Sequence, residues 1–397
     1  MWVLHTTRRM PASANQTRFI EATEELTRAN DILRTSWMPL SSGDWAGVVL
    51  RSSSLDIIRA ECQDEAEGAA IAEQVWAERF TFGKPFIRYA TATYPSGEWD
   101  LIIKMDHAVY DGTLLRVFDS HFAAILNGQP VPKPGAEFRE FCDYAYSDVD
   151  RAASEAYWAR ELAGKPADGL LARNASPKIT AFVREKIETI GLDERAGELG
   201  VTPSVLFQGA FEVWLSRFAG NTLDVNFDYL ISGRNVPLAE PQSINGTLAT
   251  FVPIRSRHRP EDTTASLLSR IQDQFWEVTE RADLSLDDIY KSASAGSDKE
   301  ELSRAVHGNS VLFLFQPFDP VGSNLVGDTG LEDRWLVMAK SKVRMLQPYA
   351  LVIEVAKTPA GTDHMLKFMY DETMFSRDEA SRFAAEIGEI TREMIAA

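Results

Sequence analysis

The residues of this 397-residue chain with the clearest capacity for chemistry lie in one segment, from Asp106 to Gly112. His107 follows an apolar run that ends at Met105, and Asp111 with Gly112 precedes a stretch of helical periodicity. This pattern predicts a tight turn between a strand and a helix, where rigid elements hold a reactive side chain. A neutral imidazole accepts a proton from an amine or hydroxyl that attacks an acyl carbon, and amides at a helix start favour an oxyanion. The spacing therefore indicates a base for acyl transfer.

A structural interpretation of the same pattern stays open at this point. A histidine at a strand end is often only a hydrogen-bonded polar residue, and Asp-Gly is a common turn dipeptide. The remaining histidines lack the spacing of metal ligands, so no metal site is predicted, and His121 is expected on a helix face. These scattered residues are His5, His121, His258, His307 and His364.

The elements that must position His107 follow from the hydrophobic pattern around it. Strands are predicted at 86–92 and 100–105, and the Pro-Ser-Gly turn between them indicates an antiparallel pair. A helix is predicted over 113–126, with Thr113 as its cap and Asn127-Gly128 at its end. Further helices are predicted at 17–33, 68–79 and 151–163.

A second alternation of helices and strands follows residues 164–178, which lack periodicity and are predicted to be a linker. Thr202 and Pro203 are a typical helix start, and this helix is predicted to end at Gly220. Strands are predicted near 223–231, 248–256, 310–316, 349–356 and 365–370, helices near 264–281 and 376–395, and a loop at 322–333. Two α/β lobes are therefore expected, an N-terminal one at 1–168 and a C-terminal one at 169–397.

The composition excludes several classes of partner. The net charge of −17 repels nucleic acid and anionic membranes, so neither is an expected partner. No apolar stretch is long enough to span a membrane, and the apolar start of the chain is too short for a signal peptide. Cys62 and Cys142 form no disulfide framework and are expected to be small buried hydrophobes. The expected location is cytoplasmic.

The segment around His107 resembles the His-His-x-x-x-Asp-Gly motif of nonribosomal peptide synthetase condensation domains. Other stretches match motifs of that family in the same order, so the resemblance covers nearly the whole chain. They are Leu26–Thr35 with its Leu-Arg-Thr ending, Tyr157-Trp158 with Leu162 and Gly164, Ser232–Pro237 with Gly246 and Val252–Arg255, and Leu366–Asp371 with Met374-Phe375. The motifs look most like fungal synthetases, some of whose terminal members release their product by cyclisation.

The resemblance implies an α/β fold of two lobes that each resemble chloramphenicol acetyltransferase, arranged as a V with the active site at the seam. It implies attack of an amine, or a hydroxyl, on a carrier-bound acyl thioester to form an amide or ester. The implied partners are a peptidyl or acyl carrier domain (a thiolation domain) and a small amine or acyl substrate. No cofactor is bound by the chain itself, because the phosphopantetheine arm belongs to the carrier.

The resemblance also implies roles for particular residues. His107 is the base or the positioner of the nucleophile. Asp111 is structural and pairs with an arginine, for which Arg34 is the candidate. Gly112 leaves room for the substrate, and Arg234 is a second candidate for holding the lobes or the active-site loop.

Two departures from the family pattern leave alternatives open. Asp106 replaces the first histidine of the motif, and Thr250 stands where an asparagine precedes Pro-x-Arg. Asp106 either points away from the channel or favours the imidazolium form of His107. One alternative is a non-catalytic docking module that recruits a carrier or a tailoring enzyme. The other is a CoA-dependent acyltransferase of the plant type, although the Asp-Phe-Gly-Trp-Gly segment of those enzymes is missing from the sequence.

Overall fold

We describe a computed structural model of the chain. The described residues are 2–41, 45–51, 56–148, 150–164, 178–293, 311–317, 335, 340–345, 349–358 and 363–396. Most of the predicted linker, with the lobe boundary at 168/169, lies outside these residues, as do the predicted loop at 322–333 and His307.

Strands and helices alternate along the described chain. The strands are β1 (Trp2–Met10), β2 (Thr35–Pro39), β3 (Trp45–Val49), β4 (Ile57–Glu61), β5 (Ile87–Thr93), β6 (Trp99–Asp106), β7 (Ala181–Glu188), β8 (Asp224–Ile231), β9 (Thr250–Arg257), β10 (Val311–Gln316), β11 (Lys340–Met345), β12 (Leu351–Lys357) and β13 (Asp363–Tyr370). The helices are α1 (Gln16–Ala29), α2 (Glu65–Ala77), α3 (Gly112–Leu126), α4 (Phe138–Asp143), α5 (Arg151–Glu161), α6 (Leu192–Leu199), α7 (Pro203–Phe218), α8 (Thr264–Glu280), α9 (Leu286–Ala293) and α10 (Arg377–Ala396).

The chain divides into two compact units, and each contains a mixed α/β arrangement. The first unit comprises residues 1–141, 237–248 and 320–346, and the second comprises 142–236, 249–319 and 347–397. Residues 237–248, which we call the crossing segment, therefore belong to the first unit although both of their sequence neighbours belong to the second. The predicted α/β class with two lobes is confirmed, whereas the boundary at 168/169 stays a prediction.

The first unit is built on a five-stranded sheet in the order β11-β1-β6-β5-β4. The predicted antiparallel pair is confirmed, because β5 and β6 pair antiparallel with Ile87 opposite Met105. Sequence reasoning missed β1, which lies between β11 and β6. Its polar residues His5, Thr6 and Arg8 are buried, and they hide the hydrophobic alternation that would have indicated a strand.

Helices cover both faces of β6. Leu101 and Ile103 pack on one face in a core cluster with Phe118 and Phe122 of α3. Ile102 points to the other face and packs with Val75 of α2. Successive strand residues face opposite sides, so a fully buried strand requires cover on both. This double cover holds the end of β6, and with it the segment around His107, in a fixed place.

The second unit is built on a six-stranded sheet in the order β7-β13-β12-β10-β8-β9. The predicted start of α7 is confirmed, with Thr202 at the cap and Pro203 as the first helical residue. This helix is apolar around most of its circumference, as expected for a helix buried in a core. Phe211 stacks on Phe313 of β10 with ring centroids 5.1 Å apart. A large apolar core thus supports the second sheet.

Candidate functional site

The segment that contains His107 joins the end of β6 to the start of α3. β6 ends at Asp106, a 3₁₀ turn covers His107–Val109, and α3 begins at Gly112. Tyr110, between the turn and the helix, has an extended backbone. The predicted order of strand, turn and helix is therefore confirmed.

Two carboxylates cap the turn and the helix. The Asp106 Oδ1 atom accepts a hydrogen bond from the Ala108 amide at 3.0 Å, at the start of the 3₁₀ turn. The Asp111 Oδ1 atom accepts one from the Leu114 amide at 2.7 Å, at the start of α3. The prediction that Thr113 caps this helix is wrong. Asp111 has the extended backbone and the short acceptor side chain that the capping position favours.

The crossing segment contacts the His107 turn directly. The Asp111 Oδ2 atom accepts a hydrogen bond from the Leu248 amide at 3.1 Å, and the Thr247 hydroxyl donates one to the Ala108 carbonyl at 3.2 Å. Asp111 is 4% exposed, so water competes little for these bonds. The carboxylate thus ties α3 to a segment 137 positions away in sequence.

A second group of hydrogen bonds fixes the crossing segment against α1 and α3. The Asn30 Oδ1 atom accepts from the Asn245 side-chain amide at 2.7 Å and lies 2.9 Å from His121 Nδ1. The Asn30 amide group donates to the Leu26 carbonyl at 2.6 Å, which orients the side chain and makes His121 Nδ1 the donor. Burial lowers the pKa of His121. His121 lies on a helix face as predicted, and that face is the buried one.

The imidazole of His107 is half-buried beside an aromatic ring. Its centroid lies 4.3 Å from that of Tyr110. Burial lowers the pKa of His107 to about 4, although the Asp111 charge opposes this shift. The imidazole is therefore neutral at neutral pH, with a nitrogen lone pair for hydrogen bonding.

The predicted pairing of Arg34 with Asp111 is wrong, since these two described residues do not pair. Arg34 is the last residue of a 3₁₀ turn, Asp31–Arg34, and forms an ion pair with Asp31, three positions earlier. It also donates to the Leu50 carbonyl. A partner one turn away is always close, whereas Asp111 is held by its own bonds to backbone amides.

The other predicted site residues lie on both units. Gly112 is the first residue of α3 in the first unit. Arg234 is 2% exposed and follows β8 in the second unit. Thr250 begins β9, where it pairs with Ile231. Their proposed roles stay predictions.

Arg255, which ends the Pro-x-Arg match, has a clear structural role that sequence reasoning did not assign. Its guanidinium binds both carboxylate oxygens of Asp224, at 2.9 and 2.6 Å. The same side chain donates to the Ala163 carbonyl, just beyond α5, at 2.6 Å. A planar guanidinium suits such a two-pronged contact, so Arg255 fastens the end of α5 to the edge of the second sheet.

Other potential sites are few in the part of the chain that the structure describes. In that part, no group of three or more histidine, cysteine or acidic side chains is arranged to hold a metal ion. Among the described helices, none combines the length and apolar character needed to cross a membrane. Both cysteines are free thiols: Cys62 is buried as predicted, and Cys142 is half-buried.

Proteins of similar sequence include two nonribosomal peptide synthetases. The chain is 34% identical to "Nonribosomal peptide synthetase sidE" of Aspergillus fumigatus over 100% of its own length and 18% of the relative. It is 34% identical to "Nonribosomal peptide synthetase 7" of the same organism, over 96% of this chain and 16% of that protein. The chain thus spans less than a fifth of these relatives.

The fold is that of a solved condensation domain. The condensation domain of the Monacolin K polyketide synthase MokA matches with a TM-score of 0.76 at 15% identity, covering 100% of this chain and 92% of that one. The sequence profile described as "Condensation domain" matches residues 1–397. With a family profile over its whole length, and a strand, turn and helix that present His107, the chain belongs to the condensation-domain family of nonribosomal peptide synthetases.

Proposed function

We propose that the chain catalyses condensation between an amine and an acyl thioester held on the phosphopantetheine arm of a carrier domain. The amine nitrogen attacks the thioester carbonyl, the new C–N bond forms, and the C–S bond breaks. The amine loses one proton and the departing thiolate gains one, so the step needs no oxidant, metal or nucleotide. Family membership supports this reaction, and the single observation that carries it is the position of His107, on the turn that Asp106 caps and just before the helix that Asp111 caps.

The electrostatics of His107 favour a particular role for it. A conjugate acid with a pKa of about 4 holds a proton weakly at neutral pH. We therefore propose that the imidazole accepts a hydrogen bond from the attacking amine and aims its lone pair at the carbonyl. The proton passes on to the thiolate rather than resting on His107.

We propose supporting roles for four residues other than His107. Asp111 holds the turn, α3 and the crossing segment together through its bonds to Leu114 and Leu248. Gly112, without a side chain, leaves space beside the turn for the thioester. Arg234 is proposed to support the active-site loop, and Arg34 to brace the segment that follows α1.

The proposed partner is a carrier domain encoded elsewhere in a longer polypeptide. The family relatives are more than five times the length that this chain matches, which leaves room for such domains. Because the whole chain carries a charge of −17, docking of an acidic carrier requires a locally apolar or basic surface.

The experiment compares wild type with His107→Ala on a carrier charged with aminoacyl-phosphopantetheine, offered a panel of amino acids and aminoacyl carriers. Product is measured by intact-protein mass spectrometry. We expect His107→Ala to lower the rate about 10²- to 10⁴-fold. The matched control is His258→Gln in the second unit, which keeps a donor toward Glu212 and is expected to retain the wild-type rate. Equal rates for wild type and His107→Ala would refute the role of His107.

The same assay separates the finer alternatives. Product that stays on a carrier indicates intermolecular amide or ester formation, and free product lighter by one water than the hydrolysed acid indicates cyclising release. Equal use of free acyl-CoA favours a CoA-dependent acyltransferase. Carrier binding without turnover favours the docking module, which the replacement of the first motif histidine by Asp106 motivates.

A further inference from the structure

Asp106 occupies a rigid position at the end of β6. On one side of the strand, Asp106 pairs with Val3 of β1. On the other side, the Asp106 amide donates a hydrogen bond to the Phe86 carbonyl at 3.0 Å. Only 2% of the residue is exposed. A side chain at this position therefore starts from a fixed backbone, one residue before His107.

The two carboxylate oxygens of Asp106 have different surroundings. Oδ1 accepts the hydrogen bond from the Ala108 amide, while Oδ2 is buried and has no hydrogen-bond partner among the described residues. Burial raises the pKa of Asp106. A buried carboxylate oxygen without a partner is unfavourable, so the contact made by Oδ1 has to offset it.

Ala108, the residue after His107, is held from two directions. Ala108 donates its amide to Asp106, and its carbonyl accepts from the Thr247 hydroxyl of the crossing segment. His107 precedes this residue, so its backbone orientation depends on the Asp106 bond. Burial is the main cause of the lowered pKa of His107, and the charge of Asp111 opposes it. The charge of Asp106 is not among the causes.

We infer that Asp106 is a positioning residue for His107, and that its position in the motif requires a hydrogen-bond acceptor for the Ala108 amide rather than a second imidazole. This inference rests on the proposed function. It also makes the replacement of the first motif histidine compatible with catalysis. The acceptor is required and the negative charge is not, so an asparagine at this position suffices.

The kinetic test compares Asp106→Asn, which keeps an acceptor oxygen of the same reach, with Asp106→Ala, which removes it. On the carrier-bound substrates described above, we expect Asp106→Asn to keep kcat within about threefold of wild type. We expect Asp106→Ala to lower kcat about 10- to 100-fold with KM within about twofold, as misplacement of a reacting group does. Asp64→Ala removes the cap of α2 and is the matched control, with kcat unchanged. Where the alanine variant does not fold, Asp106→Val replaces it, since valine suits a strand and lacks an acceptor.

A readout independent of turnover keeps this inference separate from the proposed function. In a chain with labelled histidine rings, we expect Asp106→Asn to leave the NMR signal of the His107 ring in place and Asp106→Ala to shift or broaden it. A wild type without turnover would defeat the proposed function, and the ring signals would still decide the role of Asp106. An unchanged ring signal in Asp106→Ala would overturn the inference. An equal loss of kcat in Asp106→Ala and Asp106→Asn would overturn it as well.

Discussion

Replacement of Asp111 by asparagine probes the bond between the His107 turn and the crossing segment. The wild-type carboxylate accepts amide protons from both Leu114 and Leu248. Asparagine has one acceptor oxygen, so if that oxygen keeps the cap of α3, its NH₂ group faces the Leu248 amide. Two donors then face each other in a site that is almost fully buried.

The magnitude follows from the bond that is lost. A hydrogen bond to a charged group contributes about 1.5–3 kcal/mol, and a buried amide left unsatisfied costs about 1–3 kcal/mol. Allowing for partial relaxation, we expect local opening of the crossing segment to become easier by about 2–4 kcal/mol. Since about 1.4 kcal/mol is tenfold in an equilibrium, amides of this segment should exchange at least about 30-fold faster.

The assay is hydrogen–deuterium exchange with peptide-level mass spectrometry, read on a peptide that covers 245–250. The matched control is Asp64→Asn at the cap of α2, where the carboxylate accepts from the Ala66 and Glu67 amides on an exposed surface. Asparagine caps helices about as well as aspartate, so exchange at 245–250 should match wild type in this control. Unchanged exchange in Asp111→Asn, or equal acceleration in Asp64→Asn, would refute the reasoning.

Two further predictions concern packing and pH. A Cβ atom on Gly246 would lie 1.9 Å from the Phe138 ring, so Gly246→Ala should lower the free energy of unfolding by about 1–3 kcal/mol in urea titrations. Gly197→Ala is the control, because nothing lies near its Cβ position within α6. Burial, with the Lys357 charge adding to it, lowers the pKa of His364 to about 4. The unfolded state, with a histidine pKa near 6.5, binds more protons below that pH, so this histidine makes stability fall by about 2 kcal/mol between about pH 7.5 and about pH 5. His364→Phe should flatten that slope.

Each of these two predictions has a result that contradicts it. Equal stability of Gly246→Ala and Gly197→Ala would mean that the Phe138 ring moves aside freely. An identical pH dependence in wild type and His364→Phe would mean that the pKa of the imidazole is the same in the folded and unfolded states.

Local hydrophobic patterns were sufficient to predict helices and strands where the burial of apolar side chains alone determines the element. The amphipathic spacing of α3, and the two strand-like runs on either side of the Pro-Ser-Gly turn, predicted α3, β5 and β6 within a residue or two of where they lie. The site segment was predicted equally well, because an apolar strand followed by Asp-Gly and a periodic helix leaves few alternatives. The same logic failed for β1, whose buried polar residues hide the strand periodicity.

Local sequence patterns did not predict which polar side chains pair with each other. Arg34 was assigned to Asp111 from family resemblance, yet it binds Asp31 within its own turn. Asn30 was missed as the partner of Asn245, because the two are 215 positions apart and neither stands in a pattern that indicates pairing. A hydrogen-bonding side chain has many potential partners of the same chemistry in the sequence. Only the folded chain determines which of them lies within reach.

The sequence by itself therefore determined the family, the α/β class and the strand, turn and helix that present His107, since each depends on short-range periodicity or on an ordered set of motifs. The tertiary structure alone decided what holds that turn. The crossing segment returns from the second half of the chain to the first unit and places the Leu248 amide on Asp111 and the Thr247 hydroxyl on the Ala108 carbonyl. The physical reason is that long-range hydrogen bonds in a buried site depend on chain topology, and topology is a property of the whole fold rather than of any segment.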